Sequence, residues 1–388
     1  MQEGMARSAF SASRLQHLKS TIERGIKQGH YHGAVILVAR HGEVGLHEAL
    51  GYAREAAKEP MQRDHVFSLF SVTKAFTNVL VFRSIERGDF ALTTRISELI
   101  PEFSGGSRER ITIEHLLTHR SGLPPLFTPV PGMYIDHLDE VIAAICAHVH
   151  CTGTPGSTVS YSPMCAHALL GEAVRRIDER NRRYRDIVAE EIFTPLRMKD
   201  SAIGERRDLK ARHIVPFFMP TVPPLQHLGH SHLGENGAFE EPESEMPWVG
   251  GISTVSDMFR FAEMLRRGGE LDGVRILGPA ILDQATRNRT GNSPNDLYTL
   301  IGQARGWEPY PAYIGLGFFL RGEVICHHQF GTLASPRTFG HTGFGSTLFW
   351  VDPQRDMTFV CLTSGVMNEG DNIERFQRLS DIALSAAL

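Results

Sequence analysis

Three short stretches of the 388-residue chain carry side chains suited to nucleophilic chemistry. In the first, Ser71 and Lys74 stand three residues apart in a helix-compatible segment, so their side chains share one face. A serine hydroxyl becomes a good nucleophile only when a base removes its proton. Lysine can be that base if burial and the positive end of a helix lower its pKa. Alone, the Ser-x-x-Lys pattern more often reflects an N-capping serine and a solvated lysine, but apolar flanking residues favour burial here.

The second stretch is Tyr161-Ser162-Pro163, which follows a turn-rich segment and precedes a helical one. A tyrosine phenol close to an ammonium group can relay or accept a proton. Taken alone, Tyr161 is more simply explained as a partly buried core residue. Its interest lies in its combination with the first stretch.

The third stretch, residues 341–346, reads His-Thr-Gly-Phe-Gly-Ser inside a strand-like segment. Glycines in a strand, such as Gly343, allow another backbone or a ligand to come close. A backbone N–H in this stretch, together with that of Ser71, would suit an oxyanion hole. A bulge or an edge strand is the simpler explanation of these glycines alone.

The surrounding periodicity predicts the elements that must position these residues. It predicts a helix over 14–29 and a β-hairpin that turns at His41-Gly42. The further predicted helices cover 71–88, much of 91–150, 164–177, 184–193, 250–268 and the C-terminus, and the predicted strands are YIGLGFFL, EVICHHQF, TFGHTGFGSTLFWVD and MTFVCLTS within 313–364.

The order of these elements predicts one catalytic unit over residues 1–388. Strands near both termini are expected to share one sheet, so 13–70 and 250–388 form an α/β region and 71–249 a mainly helical region. Residues 215–248 are rich in proline and histidine and predict a long irregular loop, which could be a lid.

Composition narrows the classes of function. The chain has 40 Lys+Arg and 44 Asp+Glu, a net charge of −4, which disfavours an electrostatic nucleic-acid binder. No apolar run of about 18 residues predicts a membrane span, and the first residues show no apolar leader, so we expect a cytoplasmic protein. The five cysteines show no metal-binding or disulfide spacing. We expect no cofactor and no metal, and the oligomeric state is open.

Two further groups have weaker claims to a role. His227, His230, His232 and the nearby Glu235 could suggest a metal site, but a plain loop cluster is the better interpretation in a proline-rich segment. The aromatic segment 307–313 could line an acyl pocket or simply pack as a loop.

Together, the three stretches resemble the serine β-lactamase and penicillin-binding-protein superfamily. The stretches ITIEHLLTHRSGLP, IFTPLRMKDS, GGISTVSDMFRFAEML and GHTGFGST are similar to the same superfamily, so the resemblance runs over residues 33–385. It implies an α/β (α+β) fold of the β-lactamase type, in which helices flank a mixed antiparallel sheet and a helical subdomain is inserted.

The resemblance also implies a role for each residue of the three stretches. Ser71 corresponds to the acylated nucleophile and Lys74 to its activating base. Tyr161 corresponds to the residue that shuttles protons to the leaving group and from the deacylating acceptor. The N–H of Phe344, next to Gly343, corresponds to the second oxyanion-hole donor.

Two departures from the superfamily pattern bear on the substrate. Pro163 stands where the lactamases and transpeptidases have asparagine, and His341 stands where penicillin-recognising members have lysine. Histidine is mostly neutral at pH 7, so a fixed cation for a β-lactam carboxylate is missing. Both departures resemble the class C-like carboxylesterases (family VIII) and acyltransferases of the superfamily.

These observations predict a serine hydrolase that acts on a small ester or thioester, as a carboxylesterase or as an acyltransferase. The motifs are the same for hydrolysis and for transfer. The alternative is amide chemistry, by a β-lactamase, a DD-peptidase or a D-amino-acid peptidase. A non-catalytic scaffold with an idle site is a third alternative, which the intact Ser71, Lys74 and Tyr161 disfavour.

Overall fold

In this computed structural model, residues 9–220, 222 and 237–388 are described. The helices in these ranges are α1 (Ala12–Lys27), α2 (Lys74–Arg87), α3 (Ile96–Leu99), α4 (Ile113–Leu117), α5 (Leu138–His148), α6 (Cys165–Arg176), α7 (Tyr184–Val188), α8 (Gly237–Glu240), α9 (Val255–Arg266), α10 (Pro279–Ala285), α11 (Asp296–Gln303) and α12 (Glu369–Ser385). Short 3₁₀ turns cover Phe70–Thr73, Pro101–Phe103, Gly106–Arg110 and Lys210–Arg212, and a π-turn covers Ala189–Phe193.

The strands in the same ranges are β1 (Gly33–Arg40), β2 (Glu43–Arg54), β3 (Glu59–Pro60), β4 (Val66–Ser68), β5 (Ala202–Ile203), β6 (His213–Ile214), β7 (Gly251–Ser253), β8 (Glu270–Leu271), β9 (Val274–Arg275), β10 (Phe319–Leu320), β11 (Phe339–Gly343), β12 (Thr347–Asp352) and β13 (Met357–Ser364). A seven-stranded antiparallel sheet has the order β10-β11-β12-β13-β1-β2-β3, and a smaller sheet has the order β5-β7-β4-β6. The sheet that strands from both ends of the chain share is therefore confirmed.

The central strand β1 is apolar from Ala34 to Ala39 because both faces of the large sheet are covered. Val35 and Leu37 pack in one core with Leu362 of the paired strand β13, beneath α9. The alternate residues Ala34 and Ile36 point to the opposite face of the sheet, where they pack in a second core with α1 and α12. A strand buried on both faces has no polar alternation, which explains the unbroken run.

Two strand predictions need correction. The segment EVICHHQF (323–330) is not a strand in the structure, because its apolar residues Val324 and Ile325 are exposed and Arg321 bonds to the carbonyls of Val324 and Gly331. Only Phe319–Leu320 of YIGLGFFL forms a strand. The helix predicted over 250–268 begins at Val255, after the short strand β7.

Part of the predicted irregular segment 215–248 lies outside the described residues. Its described part contains the short helix α8, and Phe218 forms an isolated bridge with Val366. No helix in the described ranges is both long and apolar enough to cross a membrane.

Candidate active site

Ser71 lies on a tight 3₁₀ turn at the entrance to helix α2. The preceding residue, Phe70, has φ +50°, a left-handed conformation that a bulky side chain rarely adopts. Buried neighbours hold it there, since the Phe70 ring packs against Phe239 at 5.3 Å between centroids. Strain of this kind persists where the surroundings over-determine the backbone, often at functional sites. The turn leaves Ser71 partly exposed at the wall of a cavity.

Lys74 is the first residue of α2 and its side chain is fully buried. Its Nζ lies 2.9 Å from Ser71 Oγ, 2.8 Å from the Pro163 carbonyl oxygen and 3.0 Å from the Trp248 carbonyl oxygen. The two carbonyls can only accept hydrogen bonds, so they take two N–H hydrogens. In the neutral amine, the lone pair then remains for the Ser71 hydroxyl.

Burial lowers the pKa of Lys74 well below its ordinary value. No carboxylate in the described part of the chain forms an ion pair with this amine, so desolvation is not offset by an opposite charge. A buried amine that has lost its proton is the state in which lysine can act as a base. The predicted pairing of Ser71 with a desolvated lysine therefore agrees with the geometry.

Tyr161 lines the same cavity as Ser71, and the Ser71 hydroxyl is close enough to lower the pKa of its phenol slightly against the larger effect of burial. Its ring is held between His119, at 4.6 Å between centroids, and Phe319, at 5.8 Å. The Lys74 Nζ lies 5.2 Å from the ring centroid. Burial raises the pKa of Tyr161, so the phenol keeps its proton at neutral pH and can donate it.

His119 was not identified from the sequence, although it holds the Tyr161 segment in place. Its Nδ1 accepts the backbone N–H of Ser162 at 3.1 Å while its ring packs on Tyr161. Burial and the neighbouring Lys74 lower the pKa of His119 well below its ordinary value, so the ring is neutral. The backbone of His119 has φ +53°, a constrained left-handed conformation. No pattern in the sequence predicts this role of His119.

Strand β11 comes so close to the Ser71 turn that residue 343 must be glycine. A Cβ added at Gly343 would lie 2.0 Å from Thr347 Oγ1 and 2.2 Å from the Leu69 carbonyl oxygen. The Thr347 hydroxyl donates to that same carbonyl at 2.8 Å, which ties the sheet to the turn. Phe344 follows Gly343 directly and lines the cavity with Ser71. The close approach predicted for these glycines is present.

His341 is buried in β11 and neutral. Its Nδ1 lies 2.8 Å from the Thr342 carbonyl, which can only accept, so Nδ1 carries the proton and Nε2 presents a lone pair. Burial and the nearby Lys74 lower its pKa to about 3. The residue therefore brings no positive charge to the site at neutral pH.

Ser71 and Tyr161 open onto a cavity of about 530 Å³. One part of its wall is apolar and includes Phe127, Trp248 and Val249. Residues of α11 contribute Leu297 and Ile301 to the same wall. This size and lining suit a small organic substrate that is largely removed from water.

The aromatic segment 307–313 and the histidine cluster were the two weaker candidates for a functional role. Trp307 stacks on His327 at 3.9 Å between centroids and does not line the cavity, and neither does the buried Tyr313. The histidine cluster at 227–232 and Glu235 lie outside the described residues. Within the described ranges, no group of three or more His, Cys, Asp or Glu side chains is arranged to hold a metal ion.

Glu369, at the start of α12, also lines the cavity and was not identified from the sequence. The Pro163 and Trp248 carbonyls that hold Lys74 were missed as well. Every residue has a main-chain carbonyl, so the residue type does not show which carbonyl will bind the amine. Trp248 also lies 174 positions from Lys74 along the chain. Only the tertiary fold brings these groups together.

Comparison with known proteins gives a consistent result. The Beta-lactamase family model matches residues 18–384. Penicillin-binding protein 4 of Amycolatopsis lactamdurans is 29% identical over 294 residues, 72% of each chain. Esterase EstB of Burkholderia gladioli is 39% identical over 138 residues, 34% of this chain and 35% of that one. A solved family VIII carboxylesterase superposes with a TM-score of 0.77 at 18% identity, over 97% of this chain and 99% of that one.

Proposed function

The chain belongs to the β-lactamase family, and we propose that it is a serine hydrolase that forms an acyl-enzyme on Ser71 from small carboxylic esters or thioesters. The observation that carries this proposal is the buried Lys74 amine, whose Nζ lies 2.9 Å from Ser71 Oγ. Two main-chain carbonyls accept hydrogen bonds from its N–H groups. A nucleophile and an adjacent base within hydrogen-bond distance are the requirement for covalent catalysis.

In the acylation step, Lys74 removes the proton from Ser71 as Oγ attacks the substrate carbonyl carbon. The N–H groups of Ser71 and Phe344 stabilise the developing oxyanion. The bond to the leaving oxygen or sulfur then breaks, and the proton held by Lys74 reaches the leaving group through the Tyr161 hydroxyl. The enzyme is left with an ester on Ser71 and a neutral lysine.

In the second step, an acceptor enters in place of the leaving group. Tyr161 and Lys74 take a proton from water or from an alcohol, whose oxygen attacks the acyl carbonyl carbon. The bond between that carbon and Ser71 Oγ then breaks, and the proton returns to Ser71 Oγ. Water gives a carboxylic acid, which makes the protein a carboxylesterase, and an alcohol gives a new ester, which makes it an acyltransferase. Both outcomes use the same side chains.

Esters are favoured over β-lactams by the charges around Ser71. The neutral His341 supplies no cation for a carboxylate, and Pro163 offers its carbonyl to Lys74 rather than a side-chain amide to a substrate. The resemblance to Esterase EstB supports the same choice. Amide chemistry is the second candidate, because the similarity to Penicillin-binding protein 4 covers more of both chains.

Turnover of p-nitrophenyl butyrate and of nitrocefin, measured side by side, tests the proposal. We expect release of nitrophenolate, no appreciable opening of nitrocefin, and loss of ester turnover in Ser71→Ala. Added alcohols that yield butyrate esters would identify transfer. Nitrocefin turnover without ester turnover would support the second candidate instead, and no reaction with either would support the idle scaffold.

A further inference from the structure

The cavity beside Ser71 has charged as well as apolar lining residues. The charged side chains among its described lining residues are Arg305, Glu369 and Asp371. Two carboxylates therefore face one guanidinium where a substrate would lie. The environment of each group decides which charge a substrate meets.

The guanidinium of Arg305 is held by carboxylates of the protein. Its Nη1 lies 2.8 Å from Asp371 Oδ1 and its Nη2 lies 3.4 Å from Glu374 Oε2. Gly370 makes room for this arrangement, since a Cβ there would lie 2.3 Å from the Arg305 Cδ. The Trp307 ring covers the guanidinium at 5.4 Å. Arg305 is therefore already neutralised and is a poor partner for an incoming anion.

Glu369 has no comparable cation. Its Oε2 accepts the backbone N–H of Gly345 at 2.9 Å, and it does not form an ion pair with any described Lys, Arg or His within 4 Å. Burial raises its pKa to about 7, so it gains its negative charge across the neutral range. The titratable and charged groups around it are Tyr161, Tyr298, Arg305, Tyr310, Asp371 and Arg375.

Among the described residues, Arg375 is a further cation near Glu369, but it does not line the cavity. Its guanidinium bonds to Thr363 Oγ1 and Asn372 Oδ1 and lies over the Tyr31 ring at 4.7 Å. Its charge lowers the pKa of Glu369, against the larger effect of burial, but the guanidinium does not contact the space where a substrate would lie.

Glu369 lines the same cavity as Ser71 and Tyr161, and its carboxylate accepts the N–H of Gly345, the residue after Phe344. The charge of Glu369 adds to burial in raising the pKa of both Tyr161 and Tyr298. In the proposed mechanism, Tyr161 serves the leaving group and the acceptor. A charge on either of these groups would therefore lie in the cavity that Glu369 lines.

Building on the proposed function, we infer that Glu369 makes the leaving-group and acceptor side of this cavity selective for cationic or neutral groups over anionic ones. A carboxylate, phosphate or sulfonate on the leaving group meets the charge of Glu369, and the described lining residues offer it no unpaired cation. A quaternary ammonium group in the same position is attracted to the carboxylate of Glu369. Two unit charges about 4 Å apart interact strongly when they are partly removed from water.

The test uses three butyryl thioesters with the same acyl group and different leaving-group charges. They are S-butyrylthiocholine, S-butyryl-2-mercaptoethanol and S-butyryl-2-mercaptoethanesulfonate, whose charges do not change between pH 6 and pH 8. Loss of the thioester absorbance gives kcat/KM for each. We expect the cationic ester to exceed the anionic one by at least about tenfold at pH 8.

The variant Glu369→Gln keeps an oxygen that can accept the Gly345 N–H and removes the charge. We expect the cation-to-anion ratio of kcat/KM to rise from pH 6 to pH 8 in the wild type and to be lower and independent of pH in Glu369→Gln. The titration of Lys74 affects all three esters equally and cancels in the ratio. Glu23→Gln, on the exposed face of α1, is the charge-matched control and should leave the ratio as in the wild type.

A ratio near one in the wild type, or the same ratio in Glu369→Gln, would overturn this inference. The proposed function is tested separately by the butyryl adduct on Ser71, which all three esters would form. Its absence with every ester would instead overturn the acyl-enzyme.

Discussion

The Nζ of Lys74 lies 2.9 Å from Ser71 Oγ, and two main-chain carbonyls at 2.8 Å and 3.0 Å fix the amine in that position. One carbonyl belongs to Pro163, two residues after Tyr161, and the other to Trp248. Two segments far from Lys74 along the chain thus meet at its amine. This arrangement gives the amine an orientation as well as a lowered pKa, and most of the predictions below depend on it.

Removal of the amine should abolish most activity. Lys74→Met preserves much of the buried volume but leaves Ser71 without a base, so we expect kcat/KM for p-nitrophenyl butyrate to fall by about 10³ or more. Lys199→Met, at an exposed position, is the matched control. Wild-type rates in Lys74→Met would show that another group activates the serine.

The pH dependence of acylation should report the lowered pKa of Lys74. Because the amine must be unprotonated to act as a base, the rate should rise with pH through that pKa and level off well below 10.5, the ordinary value for lysine. Stopped-flow release of nitrophenolate in the first turnover measures this step. A rate that climbs only near the ordinary pKa would contradict the buried neutral amine.

The phenol of Tyr161 should matter for chemistry and not for folding. Tyr161→Phe keeps the ring packed between His119 and Phe319 but loses the proton shuttle. We expect kcat to fall by about 10² to 10⁴, with an unfolding midpoint close to that of the wild type. Denaturation followed by circular dichroism, beside the kinetics, separates the two effects. A large loss of stability with little change in kcat would assign Tyr161 a structural role.

Gly343 should tolerate no side chain. In Gly343→Ala, the new methyl group would lie 2.0 Å from Thr347 Oγ1 and 2.2 Å from the Leu69 carbonyl oxygen. The strand must then move away from the Ser71 turn and carry the Phe344 N–H with it. We expect kcat/KM to fall by at least about 100-fold, the order of the loss of an oxyanion donor.

The control for that substitution is Gly153→Ala, where the nearest atom to a new Cβ is the Gly122 Cα at 3.8 Å. It should have nearly wild-type kinetics. Equal activity in the two alanine variants would show that β11 is not held against the turn as described.

Much of the architecture could be predicted from local patterns. The helical spacing over 14–29 predicted α1, whose buried residues include Leu15, Leu18 and Ile22, and strand patterns predicted the hairpin of β1 and β2. These patterns reflect burial directly, which makes them readable in a single sequence. The strand predicted over 323–330 was wrong because the prediction assumed that apolar residues are buried. In the structure, Val324 and Ile325 of this segment are exposed.

The site could be predicted only where residue type carries the chemistry. Ser71, Lys74 and Tyr161 are marked by their side chains and spacing, and the structure brings them together. The carbonyl of Trp248, the packing of His119 and the carboxylate of Glu369 depend on contacts between segments far apart in the chain. No local pattern encodes such contacts.

The most direct test of the acyl-enzyme is intact mass spectrometry of the protein mixed with p-nitrophenyl butyrate and quenched within the first turnovers, followed by peptide mapping. The structure predicts a transient gain of one butyryl group on Ser71, which disappears as the ester is consumed and never forms in Ser71→Ala. Ester turnover without an adduct, or a butyryl group on any other residue of a protein that still turns over, would contradict it.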